Sequence, residues 1–326
     1  MKPNRAPDLD IVIIGSALVE LTPQQPGRPV QEVESFVPLP GGSATNFAVA
    51  LAALGIDMSF ISRVGQDELG QWLINQLARR GVNTQLIERV PEHLTPVSFC
   101  WVDQSGDKTF YFYRAPQFSD PMSTLTADAL NCHEILRGKV LDLTEATIRT
   151  QPARDAALRA ARIARQAGRT VCYAINYRPN SWHEPPQLIF DIQKQAIAIA
   201  DVVIMNEQEA RLIFGAQDIE QALRQACALG PAVAVATAGE AATLVAFDEQ
   251  LVEIPSYRVD VQYDVGAGDA FHAGFIAAYL RGLSASQAAR WGAAVAALRI
   301  SRPASAPPPT TAEVEQFIRC AQAVDR

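Results

Sequence analysis

"TVCYAINYRPNSWHEPPQLIFDIQKQAIAIADVVIMNEQEARLIFG", residues 170–215, decides the fold. It opens on a short apolar run, Thr170 to Asn176, and a helical stretch follows over 187–200. A second apolar run, Asp201 to Met205, leads into a helix over 207–214 that Gly215 stops. Short apolar runs without polar alternation read as strands covered on both faces. Strands alternating with helices at this pace build a mainly parallel sheet with helices packed over it.

The pattern extends both ways from this stretch. Downstream come a helix over 218–229, the strand "AVAVAT" (232–237) and the hairpin "ATLVAFDEQLVEIP" (242–255), with Asp248 and Glu249 at its tip. Two alanine-rich helices follow, at about 270–281 and 285–300, and Thr310 with Glu313 is spaced as a capping box for the last helix. Upstream, "DIVIIG" (10–15) and "MSFISRVG" (58–65) read as strands. "GGSATNFAVALAALG" (41–55), "DELGQWLINQLARRG" (67–81), 127–137 and 152–167 read as helices. Two regions break the alternation. Residues 18–40 are β-like and rich in proline, and "TPVSFCWVD" and "KTFYFYR" flank the turn residues "QSGD" (104–107). We read them, at about 18–40 and 95–115, as a small β-sheet lid on a three-layer α/β sandwich. No linker or repeat divides residues 1–326, so one domain is expected.

Composition limits the function. The chain has 326 residues, 48% hydrophobic, enough for a sizeable core. A net charge of −7 argues against a nucleic-acid or anionic-membrane face. The five cysteines are scattered and form no C-x-x-C pair, so a reducing cytoplasm fits. No window approaches the roughly 20 apolar residues of a membrane span.

The chemistry concentrates in "YDVGAGDAFHAGF", residues 263–275. Gly266, Ala267 and Gly268 are small enough for their amides to converge on one point. A helix beginning at about Ala270 adds unpaired amides and its positive end. Together they form a pocket for a transferring phosphoryl group. Asp269 stands at its edge, where a carboxylate can accept the proton of an attacking hydroxyl. The alternative is an Asp that only caps the helix. A P-loop does not fit, because no Gly-Lys-Ser/Thr follows, and the dinucleotide fingerprint is absent.

The stretch "GAGDAFHAGF" resembles the C-terminal signature of the ribokinase-like (PfkB-type) carbohydrate kinases. "GGSATNFAVALAALG" is similar to their N-terminal signature, and "RVGQDELGQWL" to the segment that follows it. "DVVIMNEQEARLIFG" carries their Asn-x-x-Glu element as Asn206 and Glu209. The order of motifs agrees from about residue 10 to 308. The resemblance implies ATP-dependent phosphorylation of a sugar hydroxyl with Mg2+. Asp269 would be the base, and Gly266, Ala267 and Gly268 the anion hole. Asn206 and Glu209 would lie near the metal, through water, and Thr237 and Gly239 of "VATAGEAATLV" near ATP. The lid would also serve as the interface of a homodimer.

The sugar end is read from several places. Gly41, Gly42 and Asn46 stand at a helix entrance, as a sugar site or as a tight turn with its cap. "NYRPNSW" (176–182) ends a strand, where sites of open parallel sheets lie. It resembles a block of the 2-keto-3-deoxygluconate kinases and bacterial fructokinases. In the former, this arginine and the one ending the lid hairpin face the acid sugar; here they are Arg178 and Arg114. Two convergent arginines suit a carboxylate. Each would otherwise be a surface ion pair. By the same resemblance Glu20 stands where ribokinases and many fructokinases carry a sugar-pairing Asp and some ketodeoxygluconate kinases a Glu, which points the same way; otherwise it is an exposed strand residue. The substrate expected is 2-keto-3-deoxygluconate or a related sugar acid. Fructose, a nucleoside or an aminosugar are alternatives, as is a binding protein with weak turnover. Four positions depart from the family: Tyr263 where Asp is common, Ala174, Ala242 and Ala304. Tyr263 and Ala304 belong to the monovalent-cation region, which leaves a potassium requirement open.

Overall fold

The computed structural model describes residues 6–25, 27–102, 108–113 and 120–324. Its strands are β1 (Leu9–Ile14), β2 (Leu18–Pro23), β3 (Phe36–Gly41), β4 (Met58–Gly65), β5 (Ile87–Val90), β6 (Val97–Val102) and β7 (Lys108–Tyr113). β8 (Gly138–Thr144), β9 (Thr170–Ala174), β10 (Val202–Asn206), β11 (Val233–Thr237), β12 (Thr243–Phe247) and β13 (Gln250–Ile254) follow. The helices are α1 (Ser43–Ala53), α2 (Glu68–Arg79), α3 (Cys132–Ile135), α4 (Ala153–Gln166) and α5 (Pro186–Ile199). The rest are α6 (Glu207–Phe214), α7 (Ile219–Leu229), α8 (Ala267–Leu280), α9 (Ala285–Ile300) and α10 (Thr311–Val324).

The large sheet runs β13-β12-β11-β10-β9-β8-β1-β4-β5. It is parallel from β11 to β5 and antiparallel at β12 and β13. β1 shows why both faces must be covered. Ile11 and Ile13 pack with Phe47 and Leu51 of α1 and with α8 and α9. Val12 and Ile14 point the other way, onto the alanine face of α4. The two-residue period of a strand divides one apolar run between two cores. The three-layer α/β sandwich is thus observed. A second sheet of four strands, ordered β3-β2-β6-β7, stands apart from the first. Phe99 ties it together, with Phe36 at 5.1 Å and Tyr113 at 5.3 Å between ring centroids.

Four elements differ from the sequence reading, one being the edge strand β5, Ile87–Val90, for which no strand was expected. Only Cys132–Ile135 of the expected helix 127–137 is α-helical. The strand β8, "GKVLDLT", carries no clear apolar pattern, because Asp142 interrupts it. Asp142 is fully buried and pairs with His272 Nε2 of α8 at 2.9 Å, which makes its burial tolerable. α8 starts at Ala267, three residues earlier than expected, with Gly266 as its left-handed cap at φ 82°. At the tip of the β12–β13 hairpin, Asp248 and Glu249 take φ of 48° and 62°, the two-residue turn that matches strand twist. The "QSGD" turn lies outside the described residues. No described helix is long and apolar enough to cross a membrane.

Candidate active site

A cleft of about 550 Å³ opens over the C-terminal ends of β1, β8, β9, β10 and β11, roofed by the small sheet. Its walls include Ser16, Thr144, Asn176, Asn206 and Thr237, each at or just beyond one of those strand ends. Open α/β sheets expose unpaired backbone and loops there, which is why sites form at this edge. From the small sheet, Phe110 and Phe112 of β7 and Ser98 of β6 face the same space.

The first turn of α8 forms one pole of the cleft. Gly266, Ala267, Gly268 and Asp269 all line it. Helix geometry leaves the amides of this turn without intrahelical acceptors. Gly266 needs its positive φ. Gly268 has ordinary backbone angles, and no described atom lies within 4 Å of where its Cβ would sit. Packing gives no reason for a glycine there, and the empty space faces the cleft. The carboxylate of Asp269 is fixed by two side chains of α1. Ser43 Oγ donates to Oδ1 at 2.5 Å and Asn46 Nδ2 donates to Oδ2 at 2.9 Å. Gly42, at φ 94°, lets α1 begin against Ser16 and brings both donors to this point. Below the turn, His272 stacks on Phe47 of α1 at 3.9 Å and places its Nε2 2.9 Å from a carboxylate oxygen of Asp142 of β8. Three elements are thus locked together under the acid.

The opposite pole is cationic. Arg178 lines the cleft, bonds the Tyr177 carbonyl at 3.2 Å and lies 5.9 Å from the Phe110 ring. Arg149 is buried beside it and pairs with Glu145 at 3.5 Å and Asp120 at 3.8 Å. Glu145 also accepts from Trp182 Nε1, and burial pushes its carboxyl up while Arg149 opposes that. Glu20 reaches the cleft from β2 and is buried, not an exposed strand residue. Burial pushes its carboxyl up to about 7, against hydrogen bonds from Tyr263 and Thr22.

Other expected site residues fall as follows. Asn206 lines the cleft and caps α6, with its Oδ1 accepting from the Glu209 amide at 2.8 Å. Glu209 is buried behind it, and its two oxygens accept from the amides of Asn206 and Tyr177 at 2.8 and 2.7 Å. Burial pushes Glu209 up to about 7, and those two amides pull it down. This capping box ties the "NYR" loop to α6. Thr237 lines the cleft. Gly239, at φ 60°, sits in the turn beyond it and is not among the described lining residues. Gly41 lies in β3, where a Cβ would meet Glu20 Cβ at 2.7 Å, so its reason is strand packing. Arg114 lies outside the described residues.

Residues 8–312 match the pattern of the pfkB family carbohydrate kinases. The chain belongs to that family. A 5-dehydro-2-deoxygluconokinase from Shouchella clausii (strain KSM-K16) is 26% identical over 323 residues, 95% of each chain. A fructokinase of Escherichia coli is 31% identical over 268 residues, 81% of this chain and 82% of the relative. A double mutant of the fructokinase from Vibrio cholerae O395, solved with fructose, ADP and potassium ion, superposes with TM-score 0.84. It is 26% identical and covers 96% of this chain and 99% of its own. This pfkB protein is therefore an ATP-dependent sugar kinase.

Sequence reasoning passed over three groups in the pfkB cleft. Ser43 stood inside a quoted motif, between Gly42 and Asn46. Arg149 and Glu145 follow the unrecognised strand β8, so the rule that points to strand ends had nothing to act on. Asp120 reads in the sequence as no more than a cap before Pro121, since its Oδ1 accepts from the Met122 amide at 3.0 Å; its Oδ2 accepts from Ser16 Oγ at 2.8 Å and pairs with Arg149.

Proposed function

We propose that this kinase phosphorylates a keto-deoxy sugar acid, 2-keto-3-deoxygluconate or its 5-dehydro-2-deoxy isomer. The observation that carries the phosphoryl-transfer geometry is the unfilled space at Gly268, in the first turn of α8 beside a carboxylate fixed by Ser43 and Asn46. In this reading the amides of Gly266, Ala267 and Gly268 hold the charge of the moving γ-phosphoryl group. Asp269 orients the sugar hydroxyl and takes its proton as the oxygen attacks phosphorus, and ADP leaves. Fixing the carboxylate beforehand removes an orientational cost from that step.

Arg178 and Arg149 at the far end support an acid substrate. A carboxylate spanning them would be held by charge-assisted bonds in a partly desolvated wall. The name of the Shouchella clausii relative supports the same class. The Escherichia coli relative supports fructose as the second reading. Asn206 and Thr237, paired across β10 and β11, are the proposed ATP side. The donor set fits Mg2+ carried on the ATP phosphates and held through water, because the oxygens of Glu209 and Asn206 already serve amides. The ion would neutralise phosphate charge. Potassium is left out of the proposal, because the residue at 263 is tyrosine and Arg299 already stands over its ring. We also propose a homodimer built on the small sheet.

The test is release of ADP over a panel of sugar acids, fructose and nucleosides. Wild type is expected to turn over a keto-deoxy sugar acid best. Asp269→Asn is expected to lose about 10²–10⁴-fold in kcat. A variant as fast as wild type would remove Asp269 as the base.

A further inference from the structure

A second cavity, of about 360 Å³, lies on the other side of the anion-hole loop. Glu20, Asn46, Val265 and Gly266 line both spaces and form the wall between them. The rest of its lining is basic where it is charged. Arg79 and Arg80, at the end of α2, stand at its rim and are exposed. Arg299, in the last turn of α9, forms its inner side. Three guanidinium groups therefore face one carboxylate, Glu20, which is already bonded by Tyr263 and Thr22 at 3.4 Å each.

Arg299 is the decisive residue. Its guanidinium lies 5.4 Å from the centroid of the Tyr263 ring. Its Nη1 is buried and has no hydrogen-bond partner among the described residues. A buried cationic donor without an acceptor is costly and is normally matched by an anion or water. Arg80 spends one nitrogen on the Gln76 carbonyl and side chain, at 3.0 and 2.7 Å, and keeps its remaining donors. Basic residues at the end of α2 suit the negative pole of that helix. That accounts for Arg79 and Arg80 but not for the unmatched nitrogen of Arg299, which belongs to another helix.

We propose that this cavity binds a small anionic effector, a carboxylate- or phosphate-bearing metabolite, and that its occupancy inhibits the kinase. The route is the shared wall. Gly266 caps α8 and Asn46 holds Asp269, so the start of the anion-hole loop and the clamp on the acid both touch the cavity. Arg299 adds positive potential behind the loop that stabilises the transferring phosphoryl group. An anion bound to Arg299 cancels that potential and lowers kcat without competing for sugar or ATP.

The experiment uses the full chain with inorganic phosphate and succinate as probes. Calorimetric titration is run with the cleft filled by magnesium and a non-hydrolysable ATP analogue, so that the anion hole is occupied. We expect one remaining site, weakened by about tenfold or more in Arg299→Met, the loss of one charge-assisted bond. Arg79→Ala/Arg80→Ala should weaken it less, keep wild-type basal turnover, and move inhibition to a higher probe concentration by the same factor as the binding. If Arg299→Met does not fold, the double variant and Arg299→Lys carry the same comparison. Binding of phosphate alone assigns a phosphate-bearing effector, and binding of succinate alone a carboxylate. The proposal is overturned if neither probe binds once the cleft is filled, or if the arginine variants bind it as tightly as wild type. Inhibition that more sugar or ATP relieves overturns it as well. Calorimetry needs no turnover, so it reads this site whichever sugar is the substrate.

Discussion

Arg178 and Arg149 sit at the same pole of the cleft but are held differently. Arg149 is buried between two carboxylates, and removing it strands Glu145 and Asp120 in a desolvated wall. Arg178 has one backbone bond, to the Tyr177 carbonyl, and an aromatic neighbour, so it can be removed with less harm to the fold. Arg178→Ala is expected to raise KM for 2-keto-3-deoxygluconate by about tenfold or more, the worth of one charge-assisted bond. KM for fructose, which has no carboxylate, should move far less. Steady-state kinetics with both sugars checks this, and an equal rise for both removes the acid-sugar reading. The place of Asp269 was legible in the sequence because it is set locally: small residues, an acid and a helix start stand side by side. Arg149 was not, since a lone arginine shows its role only when the fold surrounds it.

Elements are fixed at their ends, and the start of α2 shows what holds a helix end. Asp67 caps it, with Oδ1 accepting from the Gly70 amide and the Thr95 hydroxyl at 2.7 Å each. Its Oδ2 accepts from the Thr95 amide at 2.7 Å, tying the helix to the start of β6. Burial alone would raise its carboxyl, but these bonds outweigh it and hold it below the ordinary value of 3.8. The folded value lies below the unfolded one. The stabilisation is therefore complete above about pH 4 and is lost as pH falls through the folded value. Asp67→Ala is expected to lose about 1–2 kcal/mol at pH 7. Denaturant unfolding at pH 7 and in acid checks it, and the gap to wild type should narrow as the wild-type carboxylate protonates. Helix and strand positions were mostly legible from period and punctuation. β8 was not, because Asp142 satisfies itself with His272, about 130 residues away in sequence but adjacent in space.

At the scale of the molecule, the small sheet has two unlike faces. Phe110 and Phe112 of β7 turn to the cleft. Tyr111 and Tyr113, one residue out of phase, are 56% and 68% exposed on the opposite face. Exposed aromatics on a sheet with two open edges gain from a partner. The proposed dimer would cover them. Light scattering is expected to give two chains per particle, and Tyr111→Glu to give one. A monomeric wild type at all concentrations would remove the dimer. By itself the sequence determined the parallel sandwich and the acid beside the glycine turn, since periodicity and turn chemistry are local properties. Only the tertiary structure decided that Ser43 and Asn46 clamp that acid and that Arg149 joins Arg178. The same holds for Arg299, which lies with one unmatched nitrogen behind the loop. These facts depend on which strand ends and helix ends converge, and pairing across hundreds of residues leaves no local pattern to read.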